Sequence, residues 1–385
     1  LTSLDARSTA RALRQLGAEI SPLRPGSSVV IRGRSSFRRP SAPLDCGNSG
    51  TTARLLSGLL AGHRFAATLT GDASLRSRPM RRVTRPLVEM GARITERNGD
   101  GLPLTIRGGP LRPLRHELPV SSAQIKGCLL LAGVVGGVEV SLREPKGRSR
   151  DHTERLLRAF GYTVEDGEWL RFRPTGRLTP FEIRVPGDPS SAAFAIGAAI
   201  LAEGGELRIT DVGVNPTRTG FIEVLRRMGA AVAVEGVEER FHEPVADLIA
   251  RPASLVAVEV GATEIPGLID EIPLLAALAS RAAGGGVTVF REVGELRVKE
   301  SDRLRLIVEN LRAVGVQAEV SGDDLHVAGG ARPPRGRVRS AGDHRLAMAF
   351  AVLGTSPGAR VRVDDMTCAD VSYPGFLRML REIRA

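Results

Sequence analysis

The chain has 385 residues, of which 42% are hydrophobic and 25% are charged, a balance typical of globular proteins large enough for two domains. It contains no apolar run of membrane-spanning length and no secretory pattern at its start. We therefore expect a cytoplasmic protein with no membrane partner. Three widely separated cysteines, Cys46, Cys128 and Cys368, predict buried free thiols rather than disulfides or a metal site.

The formal net charge of +11 makes nucleic-acid binding one hypothesis. The basic residues are scattered, however, and aromatic residues make up only 4% of the chain, too few for an obvious base-stacking platform. We therefore expect no nucleic-acid partner and favour a protein that handles small multivalent anions. Only Lys126, Lys146 and Lys299 are lysines, and every other basic residue apart from histidine is arginine. A lysine retained in such a chain suggests a need for its compact ammonium or tunable pKa.

Along the chain, one pattern recurs: a helix ends in an apolar residue, glycine follows, and a short strand comes next. The copies are spaced by roughly 70 residues, which indicates an internal repeat. Glycine is expected at the end of each helix because it adopts the left-handed conformation without strain. The glycines are Gly17, Gly91, Gly161, Gly229 and Gly315, and the helix Phe376–Leu380 closes the chain as a sixth copy.

A second helix precedes every copy of this pattern except the first, and each second helix has a polar start suited to capping. The starts are at residues 47–51, 121–124, 187–191, 269–273 and 342–345. The helices that follow are rich in Ala and Leu and lack a polar face, which predicts that they are buried. Short strands are predicted between the helices, at 29–31, 104–106, 138–142, 207–209, 287–290 and 361–363.

These elements predict an α/β fold of six repeats, arranged as two domains of three, with helices inside and sheets outside. Pro186 and Gly187 interrupt the pattern and place the boundary between domains 1–185 and 186–385. The first repeat lacks a capped helix before Gly17. We therefore expect that a segment preceding residue 1 is missing from this sequence.

The stretch Asp45–Leu56 is a polar loop that runs into an apolar helix. Asn48, Ser49 or Thr51 could cap its first turn. A helix start offers free N–H groups and the positive end of the helix dipole, which favour an anion. Repetition of such starts along the chain strengthens the prediction of an anion-binding protein.

Charged residues cluster at two further places. Residues 294–303 are interpreted as a helix start that brings Lys299 and Arg303 onto one face, four positions apart. Asp270 and Glu271 form a carboxylate pair at another helix start, where N-capping and catalysis are both open. The chain has no Walker lysine motif, no complete G-x-G-x-x-G and no HExxH, so nucleotide, dinucleotide and zinc-protease functions find no support.

Seven motifs together closely resemble the 5-enolpyruvylshikimate-3-phosphate synthase family over essentially the whole chain. They are GNSGTTAR (47–54), SLRSRPM (74–80), SSAQIKG (121–127), SRDHTE (149–154), LIDEIPLLA (268–276), ELRVKESDR (295–303) and DHRLAM (343–348). The resemblance implies a two-domain inside-out α/β barrel of six βαβαββ-like repeats, the first incomplete. It also implies a monomer that needs no metal or organic cofactor.

The implied reaction transfers the enolpyruvyl group of phosphoenolpyruvate to the 5-hydroxyl of shikimate 3-phosphate and releases phosphate. It proceeds by addition and elimination through a tetrahedral intermediate. The resemblance assigns Asp270 as general base, and it places Lys299 and Glu300 near the reacting carbons. Glu300 is the candidate that protonates and deprotonates the methylene carbon.

Substrate-binding roles are implied in the same way. The residues implied to bind the phosphate of phosphoenolpyruvate are Asn48, Gly50, Thr51, Arg78 and Gln124. Its carboxylate is implied to bind Arg303 and Arg345, beside His344. The residues implied to bind the phosphate of shikimate 3-phosphate are Ser122, Ala123 and Arg150. The resemblance also predicts that the protein is sensitive to glyphosate, because family members with Ala at the position of Gly50 tolerate this compound.

Alternatives remain at this stage. Family members carry, in the first repeat, a Lys-Ser pair and an Arg that touch both substrates; these lie in the segment absent here, so an inactive shortened chain is one alternative. Val371 stands where many members have Lys. The sister enzyme that acts on UDP-N-acetylglucosamine usually has a catalytic Cys in the loop occupied here by Arg76–Pro79, where none occurs. A non-catalytic repeat protein that binds nucleic acid is the alternative from a different class.

Overall fold

The structure, a computed structural model, describes residues 2–96 and 99–383. The chain divides into two compact units, Leu1–Phe181 and Glu182–Ala385, here called the N-terminal and C-terminal units. The sequence had suggested a boundary between residues 185 and 186, slightly further along the chain.

The described residues contain both amphipathic helices and helices that are buried along almost their whole length. Those of the N-terminal unit are α1 (Leu4–Gln15), α2 (Gly50–Ala61), α3 (Ala73–Ser77), α4 (Arg81–Glu89), α5 (Ala123–Gly136) and α6 (His152–Ala159). Those of the C-terminal unit are α7 (Pro189–Ile200), α8 (Gly220–Arg227), α9 (Ile272–Ala279), α10 (Arg303–Ala313), α11 (His344–Leu353) and α12 (Phe376–Ile383). Short 3₁₀ helices span Ile265–Gly267, Ala283–Gly285, Gly294–Val298 and Thr367–Val371.

The strands of the described residues form six open sheets, three in each unit. The N-terminal sheets are β1 (Glu19–Ile20) with β2 (Ile31–Arg32); β3 (Leu44–Asp45), β4 (Ala66–Thr70), β5 (Arg93–Glu96) and β6 (Leu104–Arg107); and β7 (Leu114–Glu117), β8 (Val140–Arg143), β9 (Thr163–Glu165) and β10 (Leu170–Arg173). The C-terminal sheets are β11 (Leu207–Gly213), β12 (Val232–Arg240) and β13 (Glu243–Ala250); β14 (Glu259–Val260), β15 (Val287–Phe290), β16 (Ala318–Ser321) and β17 (Asp324–Ala328); and β18 (Arg335–Val338) with β19 (Arg360–Val363).

The three four-stranded sheets share one topology. Their strand orders are β3-β4-β6-β5, β7-β8-β10-β9 and β14-β15-β17-β16. In each, the first pair of strands is parallel and the other two pairs are antiparallel. A parallel pair needs a crossover connection, and the chain supplies it as a buried helix: α2, α5 or α9. The start of each of these helices therefore comes after the carboxyl end of the first strand.

The repeated Ala- and Leu-rich helices are buried, as the sequence predicted. Nearly every residue of α7, α9 and α11 is buried, and the three helices pack against one another in the C-terminal unit. A helix without a polar face gains most by burying its whole circumference. None of the sheets formed by the described residues closes on itself, so the predicted barrel is an assembly of open sheets packed on internal helices.

Local signals at the ends of the helices behave largely as expected. All five predicted glycines have positive φ, between 75° and 111°. Ser49 caps α2 by accepting a hydrogen bond from the Thr52 amide at 3.2 Å. The prediction that Lys299 and Arg303 share a helical face is wrong, because a 3₁₀ turn ends at Val298 and α10 begins only at Arg303. Asp302 starts α10 there by capping the Arg305 amide at 3.1 Å.

The three cysteines are free and buried, as predicted. Burial, followed by the charge of Asp45, raises the pKa of Cys46 to about 12. No helix in the described part of the chain combines the length and apolarity needed to cross a membrane.

The crossing of α2 and α5 gives a prediction about stability. A Cβ added at Gly58 would lie 2.0 Å from the backbone oxygen of Cys128, so the two helices would have to separate. Replacing glycine by alanine inside a helix gains about 1 kcal/mol of propensity, whereas overpacking of a core costs about 1–3 kcal/mol or more. Because the overlap is with backbone, we expect Gly58→Ala to lower the free energy of unfolding, measured by urea denaturation.

Gly109→Ala is the matched control, because no atom lies within 4 Å of the Cβ that it would add. Its unfolding free energy should stay within about 0.5 kcal/mol of the wild type. Equal stability of the two variants would contradict the close helix crossing.

Candidate active site

The first group of predicted residues gathers at the start of α2 in the N-terminal unit. The Arg78 guanidinium donates to the side-chain oxygen of Asn48 at 2.6 Å and to the Ser74 hydroxyl at 3.3 Å. Asn48 in turn donates to the Asp72 carboxylate at 2.6 Å. Arg78 is only 5% exposed, so these contacts hold a buried cation beside the helix start.

The start of α5 joins this group through Gln124. Its amide nitrogen donates to the Thr51 hydroxyl at 2.9 Å, and its oxygen accepts from the guanidinium of Arg54. A Cβ added at Gly50 would lie 3.3 Å from one nitrogen of Arg78 and 3.4 Å from one of Arg54. The glycine therefore leaves room for a ligand beside the ends of two arginines.

Sequence reasoning did not select Arg54, although it is buried at the centre of this group. It also donates to the backbone oxygen of Pro79 at 3.3 Å. The signal was present in the sequence, since Arg54 follows Gly50 by four residues and so lies on the same face of α2.

Ser122 and Ala123 lie at the start of α5, but the side chain of Ser122 does not cap the helix. Arg150 is in the loop between β8 and α6 and is partly buried. The neighbouring Ser149 is fastened by its backbone oxygen, which accepts from the Lys126 ammonium at 3.2 Å.

In the C-terminal unit, Asp270 lies in the turn that precedes α9. Its carboxylate is 3.5 Å from the Lys299 ammonium and 3.3 Å from the Arg303 guanidinium. Lys299 and Arg303 thus meet at a common partner even though they do not share a helix. The arrangement places one carboxylate between two cations.

Arg303 is 1% exposed and contacts two further carboxylates, those of Glu300 and Asp343. Its Nε donates to Asp343 at 2.8 Å. Burial alone would lower the pKa of Arg303, but Asp343, Glu300 and Asp270 raise it overall. The guanidinium is therefore permanently charged and held in one orientation.

Asp343 and Glu271 contact the predicted site residues Arg303 and Arg345 but were not predicted as site residues themselves. Asp343 is fully buried, caps α11 by accepting from the Arg345 amide at 2.9 Å, and accepts from the Ser301 hydroxyl at 2.9 Å. Its place as the capping residue immediately before α11 was the available signal.

Glu271 does not cap α9 with its side chain, contrary to one of the two interpretations of the carboxylate pair. Its carboxylate lies 3.5 Å from the Arg345 guanidinium and accepts from the Ser190 hydroxyl. Arg218 donates to the same hydroxyl at 2.9 Å. Glu271 thus orients Arg345, while its neighbour Asp270 contacts Lys299.

His344 begins α11 and is 7% exposed. Burial, followed by the charge of Arg345, lowers the pKa of His344 to about 4. The imidazole is therefore neutral at pH 7 and can serve as a hydrogen-bonding group without adding charge. Among residues 2–96 and 99–383, no group of three or more His, Cys, Asp or Glu side chains is placed to hold a metal ion.

The depressed pKa of His344 predicts a pH dependence of stability. Between about pH 6.5 and pH 4 the unfolded chain binds a proton that the folded chain does not. The contribution of His344 to stability is therefore fully present above pH 6.5 and is lost as the pH falls through this window, by up to about 1.4 kcal/mol per pH unit. In His344→Gln, the free energy of unfolding should fall less steeply as the pH is lowered. Urea denaturation at several pH values measures this.

His152→Gln, a change at an exposed histidine, is the control and should leave the wild-type profile unchanged. A His344→Gln profile as steep as that of the wild type would show that His344 is not buried in its neutral form.

Comparison with known proteins identifies the family. The family profile described as EPSP synthase (3-phosphoshikimate 1-carboxyvinyltransferase) matches residues 1–380. A Thermus thermophilus protein named 3-phosphoshikimate 1-carboxyvinyltransferase is 49% identical over 385 residues, with 99% of this chain and 88% of the relative covered. The Desulfitobacterium hafniense protein of the same name is 46% identical over 387 residues, with coverage of 100% and 88%.

Solved structures agree. The EPSP synthase of Acinetobacter baumannii superimposes with a TM-score of 0.84 at 37% identity, covering 100% of this chain and 88% of the other. The enolpyruvyl transferase NikO of Streptomyces tendae shares the fold, with a TM-score of 0.77 at 18% identity and coverage of 100% and 87%. The chain therefore belongs to the EPSP synthase family.

Proposed function

We propose that this enzyme transfers the enolpyruvyl group of phosphoenolpyruvate to the 5-hydroxyl of shikimate 3-phosphate and releases phosphate. Family membership and the names of the relatives support this reaction. The main structural support is the position of the Asp270 carboxylate, which lies within 3.5 Å of both Lys299 and Arg303. A carboxylate fixed in this way is suited to remove a proton from an attacking hydroxyl.

In the proposed addition step, the 5-hydroxyl attacks C2 of phosphoenolpyruvate and passes its proton to Asp270. Glu300 protonates the methylene carbon, which gives a tetrahedral intermediate. In the elimination step, Glu300 takes a proton back from the resulting methyl group, the carbon–carbon double bond re-forms and phosphate leaves as hydrogen phosphate, with the proton that Asp270 had taken from the hydroxyl. Lys299 and Arg303 supply fixed positive charge near these groups, which is the main way in which such sites stabilise charged intermediates.

The N-terminal group has the chemistry required to bind the phosphate of phosphoenolpyruvate. Asn48, Gly50 and Thr51 lie at a helix start, where the backbone amides and the helix dipole favour an anion. Arg78 and Gln124 are already oriented there by hydrogen bonds. We assign Ser122, Ala123 and Arg150 to the phosphate of shikimate 3-phosphate, since another helix start and an arginine offer the same chemistry.

We assign Arg303 and Arg345 to the carboxylate of phosphoenolpyruvate, where guanidinium groups can bind in a bidentate manner. His344 lies beside them in its neutral form and adds a substrate-binding group. We further propose that the enzyme is a monomer of the cytoplasm, a compartment that keeps buried thiols such as Cys46 reduced. Light scattering on the purified protein would test the monomer.

Asp270→Asn tests the assigned base. On the protein as its gene encodes it, phosphate release from phosphoenolpyruvate and shikimate 3-phosphate should fall by about 10²–10⁴-fold in turnover, because an amide cannot accept the proton. Shikimate 3-phosphate binding, measured by calorimetry, should change little.

Asp302→Asn is the matched control, because Asp302 belongs to the segment that supplies Lys299 and Arg303, and Asn caps a helix as well as Asp does. Near-normal turnover of Asp270→Asn would remove Asp270 from the base role. A wild-type protein inactive with this substrate pair would overturn the proposed function as a whole.

Gly50 leads to a prediction about inhibition. The wild type should be inhibited by glyphosate in competition with phosphoenolpyruvate, because Gly50 leaves space beside Arg78 and Arg54. In Gly50→Ala the added Cβ occupies that space, at 3.3–3.4 Å from the two guanidinium groups. The inhibition constant for glyphosate should rise by a larger factor than the KM for phosphoenolpyruvate. Non-competitive inhibition of the wild type would contradict this assignment.

A further inference from the structure

The N-terminal unit contains a buried lysine to which the proposed reaction gives no role. Lys126 is one of three lysines in the chain, lies in the first half of α5 and is only 3% exposed. A buried ammonium is costly unless it is fully paired. Its partners therefore indicate what it is there to hold.

Three acceptors surround the Lys126 ammonium, and all three come from the loop after β8 and the start of α6. They are Glu154 of α6 at 2.7 Å, Glu144 just after β8 at 3.1 Å, and the backbone oxygen of Ser149 at 3.2 Å. An ammonium has three N–H donors, so all three can be used. The Ser149 amide also lies 3.3 Å from Glu144, to which it donates, and this closes the network.

Two carboxylates offset the cost of burying the charge of Lys126. Burial would lower the pKa of Lys126, but Glu154 and Glu144 raise it overall, so the ammonium stays charged at neutral pH. The compact ammonium suits this position, because the planar guanidinium of arginine cannot direct three donors to acceptors on three sides. This explains why lysine occurs here in a chain that otherwise uses arginine.

The loop held by Lys126 is the loop that carries Arg150. The Ser149 oxygen that Lys126 binds belongs to the peptide that leads into Arg150. On the other side, the Lys126 amide donates to the Ser122 oxygen at 3.0 Å within the first turn of α5. A second contact also ties this loop to the residues before α5, since the Ser121 hydroxyl accepts from the Lys146 amide of the same loop at 3.0 Å.

We propose that Lys126 is a positioning residue for the shikimate 3-phosphate phosphate subsite, because it fastens the loop of Arg150 to the helix start that carries Ser122 and Ala123. This inference rests on the proposed function, which assigns those three residues to that phosphate. Lys126 itself touches no substrate. Its loss should therefore weaken binding of one substrate far more than it slows the chemistry.

The test replaces the buried pair together, as Lys126→Met/Glu154→Leu. Apolar replacement of both partners avoids a lone buried charge, which often allows the fold to persist. The KM for shikimate 3-phosphate should rise roughly tenfold or more, the scale of one lost charge-assisted hydrogen bond. The KM for phosphoenolpyruvate and kcat should change by less than about threefold, since the loop of Arg150 is not assigned to them.

Two single variants complete the series. Glu144→Gln keeps the Lys126–Glu154 pair and weakens only the tie to the loop, so it should fold and raise the KM for shikimate 3-phosphate by a smaller factor. Lys146→Met removes an exposed lysine from the same loop and is the matched control, with kinetic constants near those of the wild type.

The outcomes separate the two proposals. If the wild type converts the substrate pair but both KM values rise together, or kcat falls while the KM for shikimate 3-phosphate is unchanged, Lys126 is not a positioning residue for this phosphate. If the double variant unfolds, Glu144→Gln decides, and an unchanged KM overturns the inference. If the wild type itself does not convert the pair, the proposed function fails, and this inference fails with it.

Discussion

A buried cation in this protein is stable only because carboxylates or polar groups from distant parts of the chain surround it. Arg303 is the clearest case, since Asp270, Glu300 and Asp343 all contact a guanidinium that is 1% exposed. Removing charges from water carries a large penalty, which good geometry and several partners must offset. The same constraint governs Lys126 in the N-terminal unit. In each unit, the candidate site residues thus include charges that their neighbours hold in fixed positions.

The topology explains why these charges occur at helix starts. In the four-stranded sheets, each parallel strand pair is joined through a helix that is buried along its length, such as α2 or α9. Such a helix cannot place polar groups along its sides without burying them. Its first turn is where unsatisfied amides, capping groups and charged side chains can meet. Repeating the crossover therefore repeats a polar, anion-attracting helix start, and sequence differences among the copies give each start its own role.

The contrast between polar helix starts and buried helix sides explains how much of the fold the sequence could predict. Helix starts, terminal glycines and buried apolar helices follow from local patterns, and Ser49, Gly17 and α7 match those patterns. The predicted helical pairing of Lys299 with Arg303 was wrong because the cap at Asp302 starts the helix later than charge spacing suggested. The family motifs supplied the candidate site residues, but not the groups that hold them.

Those supporting groups were missed because their partners are far apart in sequence. Glu271 accepts from Ser190 across 81 positions, and Asp343 holds Arg303 across 40. Spacing rules reach only a few residues along a helix, so they cannot reveal such pairs.

Nearby carboxylates also offset the excess of arginine, which first made a nucleic-acid partner one hypothesis. Many surface arginines lie beside acidic groups of the same sheet: Arg208 contacts Glu235 and Asp247, and Arg291 contacts Glu259 and Asp324. Exposed pairs of this kind add little stability, but they break the surface charge into local, partly cancelled groups. A polyanion needs a continuous basic surface to bind strongly, because its affinity comes from many phosphate contacts made together. A small dianion needs only one or two well-oriented cations, and the buried arginines at the helix starts provide these.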